Sequence, residues 1–483
     1  MLYGFATELW EEIISYFTPE EDRQALLCLN LVDHRFHHIA RRRIFADFKF
    51  CPYSVRSNEY GMHAEELALP VIPTPEWLRQ RLELWASDDI APFVDYCVVE
   101  PLEFEKIERP YPDEDPYVLM KLFYELLPRF INLKSLFIFA VHLTDNALTN
   151  LARMPKLHTL ILNRIAAVEG ETLNVPSKLK LRAFEFANCG TLGEWWLDAA
   201  CLDTLEELEV GLYLPYCPRF LGDSMLDYPI FPNVRTLSID IGQPVFEGAV
   251  MRLANFPGTK DLTLTRAEDI PGRVSYLADA QLPQEYYCPL LERYTGPLSV
   301  LPFLRTSLLE NLTIDPCNPA DFFSKMRSLQ MTARATTMKY LKVSLLGYIS
   351  SLHDLGEIFP DLAILRVSML YGLWYSLNPD PQMAVSFFAS LPSSLPPNIA
   401  KLAIDWEFKE PPESAPADFE QLKNAIVAQR PSLKTLWIHC GQCAYAWGVM
   451  PDGTESVMSG GPDFATRILP KFDTVFYGWW RTE

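Results

Sequence analysis

Positive charge is scarce in this sequence. Its 42 Lys and Arg residues are outnumbered by 62 Asp and Glu residues, which gives a formal net charge of −20 over 483 residues. Proteins bind nucleic acid largely by neutralising phosphates with basic side chains, and anionic membranes attract the same side chains. We therefore expect neither nucleic acid nor a membrane among the partners.

Long apolar runs are also missing. No stretch of about 18 apolar residues occurs, so we expect no transmembrane helix. The first residues, MLYGFATELWEEII, carry acids where a secretory signal needs a basic start. We therefore expect the ten scattered cysteines to be reduced thiols of a protein in the cytoplasm, the nucleus or both.

Motifs for catalysis or metal binding are lacking. There is no glycine-rich phosphate or dinucleotide loop, no G-x-S-x-G and no H-E-x-x-H. His34, His37 and His38 share a helical face, but no cysteine or carboxylate completes a metal site. The C-x-x-C at Cys440 and Cys443 has no second pair at zinc-site spacing. We expect a protein that is not an enzyme, with no catalytic residues, no metal and no cofactor.

A repeat fills most of the chain. Four segments fit the pattern L-x-x-L-x-L, with Ile, Phe or Val in place of some leucines, and their fourth positions, residues 136, 160, 184 and 208, are spaced by 24 residues. The pattern recurs with drift around residues 97, 237, 262, 294, 312, 341, 365, 402 and 436. This period is typical of leucine-rich repeats, in which each unit adds one short strand to a parallel stack. Residues 94–442 are predicted to form a solenoid of about thirteen irregular repeats, with strands on the concave face and helices and loops on the convex face.

Proline is abundant and glycine scarce, at 39 and 21 residues. Seven prolines stand two residues before the first position of a repeat: Pro155, Pro232, Pro257, Pro289, Pro360, Pro397 and Pro431. Proline ends a returning helix because it has no N–H. Helices are predicted between strands at residues 144–153, 246–254, 320–329, 382–391 and 417–429. A hairpin is predicted over residues 444–458, within a C-terminal cap over residues 443–483.

The first fifty residues predict three short amphipathic helices. Leu9, Ile13 and Phe17 have helical spacing, residues 18–21 read as a capping box, and Asp33 can cap the third helix. A module this small shields little of its own surface, so some apolar side chains are left for a partner.

The order of these residues resembles the F-box, which docks a substrate receptor onto the Skp-family adaptor of a cullin ubiquitin ligase. The matching residues are Phe5-Ala6, Glu8-Leu9, Ile13, Tyr16-Phe17, Asp22, Leu26-Leu27, Val32, Arg35-Phe36, Ile39-Ala40 and Phe45. The family has proline where Ala6 stands, which leaves the strength of the adaptor contact open. The resemblance implies that residues 1–48 bind the adaptor, and through it a cullin. The contacts it implies are Phe5, Leu9, Ile13, Phe17, Leu26, Leu27, Val32 and Phe36. Residues 49–93 are then a helical linker.

Side chains between the apolar positions of each strand point away from the core, because side chains alternate along a strand. We expect a protein substrate to bind among Phe137, Phe139, Ile161, Glu185, Glu207, Glu209, Asp240, Arg366, Asp405, Trp437 and His439. Aromatic residues at such positions are frequent binding anchors, and the acids favour a basic partner. The alternative is that the cap or the linker covers these residues.

The expected fold class is α/β: an N-terminal three-helix F-box followed by a leucine-rich-repeat solenoid. The expected function is that of a non-catalytic substrate-recognition subunit of an SCF-type E3 ubiquitin ligase. The alternative is a leucine-rich-repeat scaffold or signalling protein whose N-terminal helices only cap the solenoid.

Overall fold

The chain divides into two compact units, Met1–Asn255 and Phe256–Glu483, called unit 1 and unit 2. The computed structural model describes residues 7–18, 21–52, 54–56, 74–100, 102–104, 118–144, 146–167, 178–187, 200–211, 229–240, 253–265, 288–304, 308–330, 338–347, 349, 351–370, 381–406, 419–440, 443–449 and 452–460. Within these ranges, every helix is too short or too polar to span a bilayer.

Unit 1 begins with the three predicted helices, α1 (Thr7–Ser15), α2 (Arg23–Asn30) and α3 (His34–Ile44). Asp33 caps α3 as predicted, because its carboxylate accepts hydrogen bonds from the N–H groups of Arg35 and Phe36 at 2.8 and 2.9 Å. The turn before α2 differs from the predicted capping box. The Thr18 hydroxyl accepts from Glu21 N–H, but Asp22 rather than Glu21 binds back to Thr18 N–H, and α2 begins only at Arg23.

A parallel sheet forms the body of unit 1. Its strands in chain order are β1 (Asp47–Phe50), β2 (Ser54–Arg56), β3 (Tyr96–Val99), β4 (Leu102–Phe104), β5 (Ser135–Phe139), β6 (His142–Leu143), β7 (Thr159–Asn163), β8 (Ala166–Ala167), β9 (Ala183–Ala187), β10 (Glu207–Gly211) and β11 (Thr236–Asp240). The sheet has the open order β1-β3-β5-β7-β9-β10-β11, and every neighbouring pair is parallel. The short pairs β2–β4 and β6–β8 are also parallel.

Strand β1 is the one repeat strand in the described part of unit 1 that the sequence pattern did not predict. Phe48 and Phe50 are buried in it, in register with Cys97 and Val99. Only Phe45 and Ala46 separate α3 from this strand. The sheet therefore begins at Asp47, whereas the repeats were predicted to start at residue 94. The predicted linker over residues 49–93 includes the end of β1 as well as helix α4 (Pro75–Trp85), whose first turn is capped by Thr74.

The sheet of unit 2 consists of parallel strands followed by two strands that are added in antiparallel pairing. Its strands are β12 (Asp261–Thr265), β13 (Arg293–Gly296), β14 (Asn311–Cys317), β15 (Tyr340–Leu346), β16 (Ile364–Leu370), β17 (Lys401–Trp406), β18 (Thr435–Cys440), β19 (Cys443–Val449) and β20 (Glu455–Gly460). Strands β12 to β18 are parallel in chain order, whereas β19 pairs antiparallel with β18 and β20 pairs antiparallel with β19. The predicted hairpin over residues 444–458 is confirmed. The rest of the predicted cap, residues 461–483, lies outside the described residues.

The remaining helices lie between strands. They are α5 (Val118–Leu126) and α6 (Ala147–Leu151) in unit 1, and α7 (Pro319–Gln330), α8 (His353–Ile358), α9 (Pro381–Ser394) and α10 (Phe419–Gln429) in unit 2. Four of them confirm predicted helices, namely α6, α7, α9 and α10. Most of the predicted helix at residues 246–254 lies outside the described residues, and its described end is a 3₁₀ turn, Leu253–Asn255.

The apolar positions of the repeat form the core of each unit. The central residue of each predicted strand is at most 3% exposed: Cys97, Leu136, Leu160, Phe184, Leu208, Leu237, Leu262, Tyr294, Leu312, Leu341, Leu365, Leu402 and Leu436. The predicted strands and their inward faces are therefore confirmed. Tyr294 fits where leucine is usual because its hydroxyl donates to the carbonyl of Pro297 at 2.9 Å. A Cβ on Gly296 would lie 2.9 Å from that hydroxyl, so the position requires glycine.

The residue before each strand, its leading residue, joins a backbone ladder. Lys134 N–H donates to the carbonyl of Asp95 at 2.8 Å, and the leading residues from His158 to Arg235 repeat this bond. Opposite charges are adjacent at several leading residues: Lys134–Asp95 at 3.2 Å, Arg182–Glu206 at 2.8 Å, Lys260–Glu292 at 2.5 Å and Lys339–Glu310 at 2.7 Å. Exposed pairs contribute about 0–1 kcal/mol each, so the backbone bonds hold the register.

Candidate functional site

The side chains between the buried positions form the outward face of each sheet. In unit 1 the central positions are in register across successive strands and form one row, which we call the middle row: Lys49, Val98, Phe137, Ile161, Glu185 and Glu209. Neighbouring strands lie about 4.8 Å apart, so the row presents one side chain at each such step. The row begins with the basic Lys49, which pairs with Glu100, and then changes from apolar to acidic along the sheet.

The apolar part of the middle row consists of Val98, Phe137 and Ile161, all half-buried. Phe139, two residues along β5, stacks on Phe137 with ring centroids 6.1 Å apart and planes 10° apart. The guanidinium of Arg164 lies 5.6 Å from the centre of the Phe139 ring. The structure therefore places Phe137, Phe139 and Ile161 together on the outward face, where the sequence predicted them.

The acidic part of the row follows on the next two strands. Glu209 and its neighbour Glu207 are exposed, and Glu185 is half-buried beside Glu209. Partial burial, and after it the negative charge of Glu209, raise the pKa of Glu185 above its ordinary value. Asp240 ends β11 opposite Gly211, but its side chain lies outside the described residues. This part of the sheet concentrates negative charge beside the aromatic pair.

Unit 2 places Trp437 differently from the prediction. Arg366, Ala403, Trp437 and Ala446 form one row on its outward face. Arg366 is half-buried, whereas Trp437 is only 3% exposed. Both in-register neighbours of Trp437 are buried alanines, which leave space for an indole beside them. One of them belongs to the cap strand β19. Trp437 is therefore buried on the outward face beside the cap strand, and the prediction of an exposed anchor at this position was wrong.

Asp405 and His439 form a cross-strand pair on the same face of unit 2. They are in register on β17 and β18, and His439 Nδ1 lies 2.7 Å from Asp405 Oδ1. An ionised carboxylate can only accept a hydrogen bond, so this contact requires a proton on Nδ1. The other in-register neighbour of His439 is Ala444, so the register brings no nucleophilic side chain to the imidazole. The contact with Asp405 orients the imidazole of His439.

The N-terminal helices have a core that leaves other apolar side chains in solvent. The core contains Ile14, Leu26, Phe36 and Ile39, with Phe17 and three others packed against it. The exposed residues form one stripe on α1 and a second along α2 and the turn after it, and we call these the two exposed stripes: Leu9, Ile13 and Tyr16, then Leu27, Leu31 and Val32. Their exposed fractions range from 39% to 84%.

This arrangement separates the predicted adaptor contacts into two groups. Leu9, Ile13, Leu27 and Val32 are exposed as an adaptor contact requires, whereas Leu26 and Phe36 are buried in the module core. The prediction that these two contact an adaptor was therefore wrong. Phe17 is half-buried against the same core, and Phe5 lies outside the described residues.

The stripes could have been read from helical spacing. Residues four and seven apart share a helix face. On α1 and just beyond it, this spacing puts Leu9, Ile13 and Tyr16 on one stripe, and Trp10, Ile14 and Phe17 on the other. Packing against α3 then determines which stripe is buried. The exposed residues Tyr16 and Leu31, absent from the predicted contacts, follow from the same spacing.

His37 and His38 pack within the N-terminal part of unit 1, and Cys440 and Cys443 lie at the end of the β18–β19 pair. His37 Nδ1 lies 3.3 Å from the carbonyl of Asn30, and the His38 ring packs edge-on to Phe93. Cys440 and Cys443 are opposite each other across the β18–β19 turn, and burial raises the pKa of the Cys440 thiol to about 12. Among the residues that the structure describes, no three His, Cys, Asp or Glu side chains are grouped to hold a metal ion.

No protein-family model matches this sequence, and no curated protein matches it. Among solved structures, the chain is similar to a chain in the crystal structure of a TLR13–ssRNA13 complex, with a TM-score of 0.35 and 13% sequence identity. The similarity covers 72% of this chain and 47% of that one, so this chain spans about half of the other's length. A likeness this distant implies nothing about function. The strands themselves establish the architecture: an α/β fold with mostly parallel, open sheets built from L-x-x-L-x-L repeats.

Proposed function

We propose that this chain is a non-catalytic substrate-recognition subunit of an SCF-type ubiquitin ligase. Its N-terminal helices dock a Skp-family adaptor, and the outward face of the repeats binds the protein to be modified. The supporting observation is the pair of exposed stripes, six large apolar side chains that the module core leaves in solvent. Large exposed apolar patches on soluble proteins often mark interaction sites.

In this role the chain contributes position and no bond-making chemistry. Transfer of ubiquitin needs a target lysine close to the carrier enzyme, and the adaptor and cullin bring that enzyme. Holding two reactants in place makes a bimolecular step effectively unimolecular, which is how a receptor without catalytic residues accelerates transfer.

The first test replaces Leu9 or Ile13 by aspartate in the full chain. Each change would place an unpaired charge in an apolar contact, at a cost of several kcal/mol, about the scale of burying an unpaired polar group. We expect either variant to lose adaptor binding in a pull-down with purified Skp-family adaptor. Leu84→Asp is the matched control, because Leu84 is an exposed leucine on helix α4 of the same unit.

Both variants should fold, because Leu9 and Ile13 are exposed and lie outside the module core. Circular dichroism checks this. Folded variants that bind adaptor as strongly as Leu84→Asp would refute the adaptor role.

A second candidate is a repeat scaffold whose N-terminal helices serve only as a cap. One contact supports it: the Arg41 guanidinium donates to the Asp89 carbonyl at 2.9 Å and lies 5.6 Å from the centre of the Phe93 ring. Helix α3 is thus held against the body of unit 1. A cap-only role predicts that the chain binds no adaptor at any concentration, while a protein partner still binds the repeats.

A further inference from the structure

We infer that the middle row of unit 1 binds an extended peptide segment of a partner protein, in which a large apolar residue and a Lys or Arg stand a few residues apart. The apolar residue contacts Phe137 and Ile161, and the basic residue contacts Glu185 and Glu209. This inference rests on the proposed function, because it names the segment that a substrate would present.

The apolar part of the row, from Val98 to Ile161, is held in place by neighbouring side chains. Phe137 is held by its stacking on Phe139, and the Arg164 guanidinium lies against the Phe139 ring. Val98 and Ile161 flank Phe137 on the adjacent strands and are half-buried. A side chain with few accessible rotamers loses little entropy when a ligand covers it, and aromatic anchors of this kind often dominate binding energy.

The acidic end of the row favours a cation. Glu185 and Glu209 are in register on adjacent strands, and the next residues along the row are Ile161 on one side and Ser238 on the other. Two carboxylates one strand apart repel each other, which contributes to the raised pKa of Glu185. A Lys or Arg placed between them relieves this repulsion, whereas an acidic segment adds to it.

The register sets the spacing within the ligand. Phe137 and Glu185 are two strands apart, and Phe137 and Glu209 are three strands apart. At about 4.8 Å per strand these separations are about 10 and 14 Å, and an extended peptide advances about 3.3 Å per residue. The apolar and basic residues of the segment are therefore about three or four positions apart.

The experiment measures binding of short fluorescent peptides to the full chain by anisotropy. One peptide, in a Gly-Ser background, carries a Trp about three positions from a pair of Arg residues. A second peptide has the same composition, but its Trp is about ten positions from the Arg pair. A third has Ser in place of Trp. We expect the first peptide to bind about tenfold more tightly than the other two, a difference of about 1.4 kcal/mol.

Variants assign each part of the peptide to its part of the row. Phe137→Ser should weaken the first peptide about tenfold and leave the third unchanged. Glu185→Gln with Glu209→Gln should weaken the binding of all three peptides, because each carries the two Arg residues, and should flatten the dependence of binding on salt. Glu125→Gln is the matched control, since it makes the same change at an exposed glutamate on α5 of the same unit.

Equal affinity for the two peptides of the same composition would overturn the inference. So would unchanged binding by the folded Phe137→Ser and glutamine variants. The adaptor pull-down is read separately: adaptor binding without peptide binding refutes only this inference. Peptide binding without adaptor binding refutes the ligase role and assigns the row to a scaffold.

Discussion

At the scale of single residues, function and stability oppose each other at Glu185. This carboxylate is half-buried, and the charged side chains on the strands flanking its own are Glu207 and Glu209 of β10. A raised pKa means that the fold binds the proton more tightly than the unfolded chain does. The ionised form therefore lowers the free energy of unfolding at neutral pH.

Glu185→Gln should stabilise the fold at neutral pH, because the amide removes both the burial of a charge and the repulsion from Glu209. We expect a melting temperature about 2 °C higher at pH 7. The gain should disappear as the pH falls below about 4.3, where the wild-type carboxyl is protonated in the fold and in the unfolded chain. Thermal unfolding of both proteins across this pH range measures it. Glu207→Gln, a change at an exposed glutamate, should leave the melting temperature unaltered, and a gain independent of pH would contradict the mechanism.

At the scale of the element, the C-terminal hairpin is fastened by a polar cluster on α10. The Lys423 ammonium is 2.7 Å from Glu420 and 3.5 Å from Glu455, and it lies 5.4 Å from the centre of the Trp447 ring. Trp447 Nε1 donates to Glu455 at 2.9 Å, and the Tyr445 hydroxyl donates to Glu420 at 2.6 Å. Helix α10 thus contacts both antiparallel strands, β19 through Tyr445 and Trp447 and β20 through Glu455.

Lys423→Met should loosen β19 and β20 selectively. The loss is expected to be about 1–2 kcal/mol, below the about 3–5 kcal/mol of a fully buried ion pair, because both carboxylates keep access to water. Hydrogen exchange of the hairpin amides measures the loss against those of β12 to β16. Lys434→Met, at the exposed leading residue of β18, is the control. Uniform loss of protection in both groups of strands would show that the cluster does not act on the hairpin alone.

The elements also show where the sequence could and could not predict the structure. The recurring L-x-x-L-x-L pattern located the strand centres, even where its spacing drifts, because each repeat must bury the same positions. Strand β1 was missed because its pattern, Phe45-x-x-Phe48-x-Phe50, replaces every leucine by phenylalanine directly after a helix. Leu26 and Phe36 were misassigned because a motif does not say which stripe faces the module core. Trp437 was misassigned because alternation along one strand cannot reveal the small neighbours on the strands beside it.

At the scale of the whole molecule, the reactivity of individual thiols can be used to follow the unfolding of each unit. Cys97 in unit 1 and Cys288 in unit 2 are buried, and burial raises the pKa of both thiols, that of Cys288 to about 12. Cys28 on α2 is exposed. Modification of Cys28 therefore measures the reactivity of a surface thiol, whereas modification of Cys97 or Cys288 measures the unfolding of unit 1 or unit 2.

We expect iodoacetamide at neutral pH to modify Cys28 rapidly, and Cys97 and Cys288 only after unfolding, because the thiolate is the reactive form. Peptide mass spectrometry along a urea series reads each site. Cys28→Ser checks that the early signal comes from that residue. Labelling of Cys97 or Cys288 in buffer at the rate of Cys28 would contradict the buried positions described for them.

The two-residue connection between α3 and β1 fixes the position of the N-terminal helices relative to the sheet of unit 1. Phe45 and Ala46 leave no slack, the Ala46 carbonyl accepts hydrogen bonds from the N–H groups of Asp95 and Tyr96, and Arg41 anchors the helix a second time. A ligand bound to the middle row is therefore held at a fixed distance and orientation from a partner bound to the N-terminal helices. In the proposed ligase, this fixed distance selects which lysines on the target's surface are ubiquitylated. Two targets that share one docking segment are then modified differently if their lysines lie in different places.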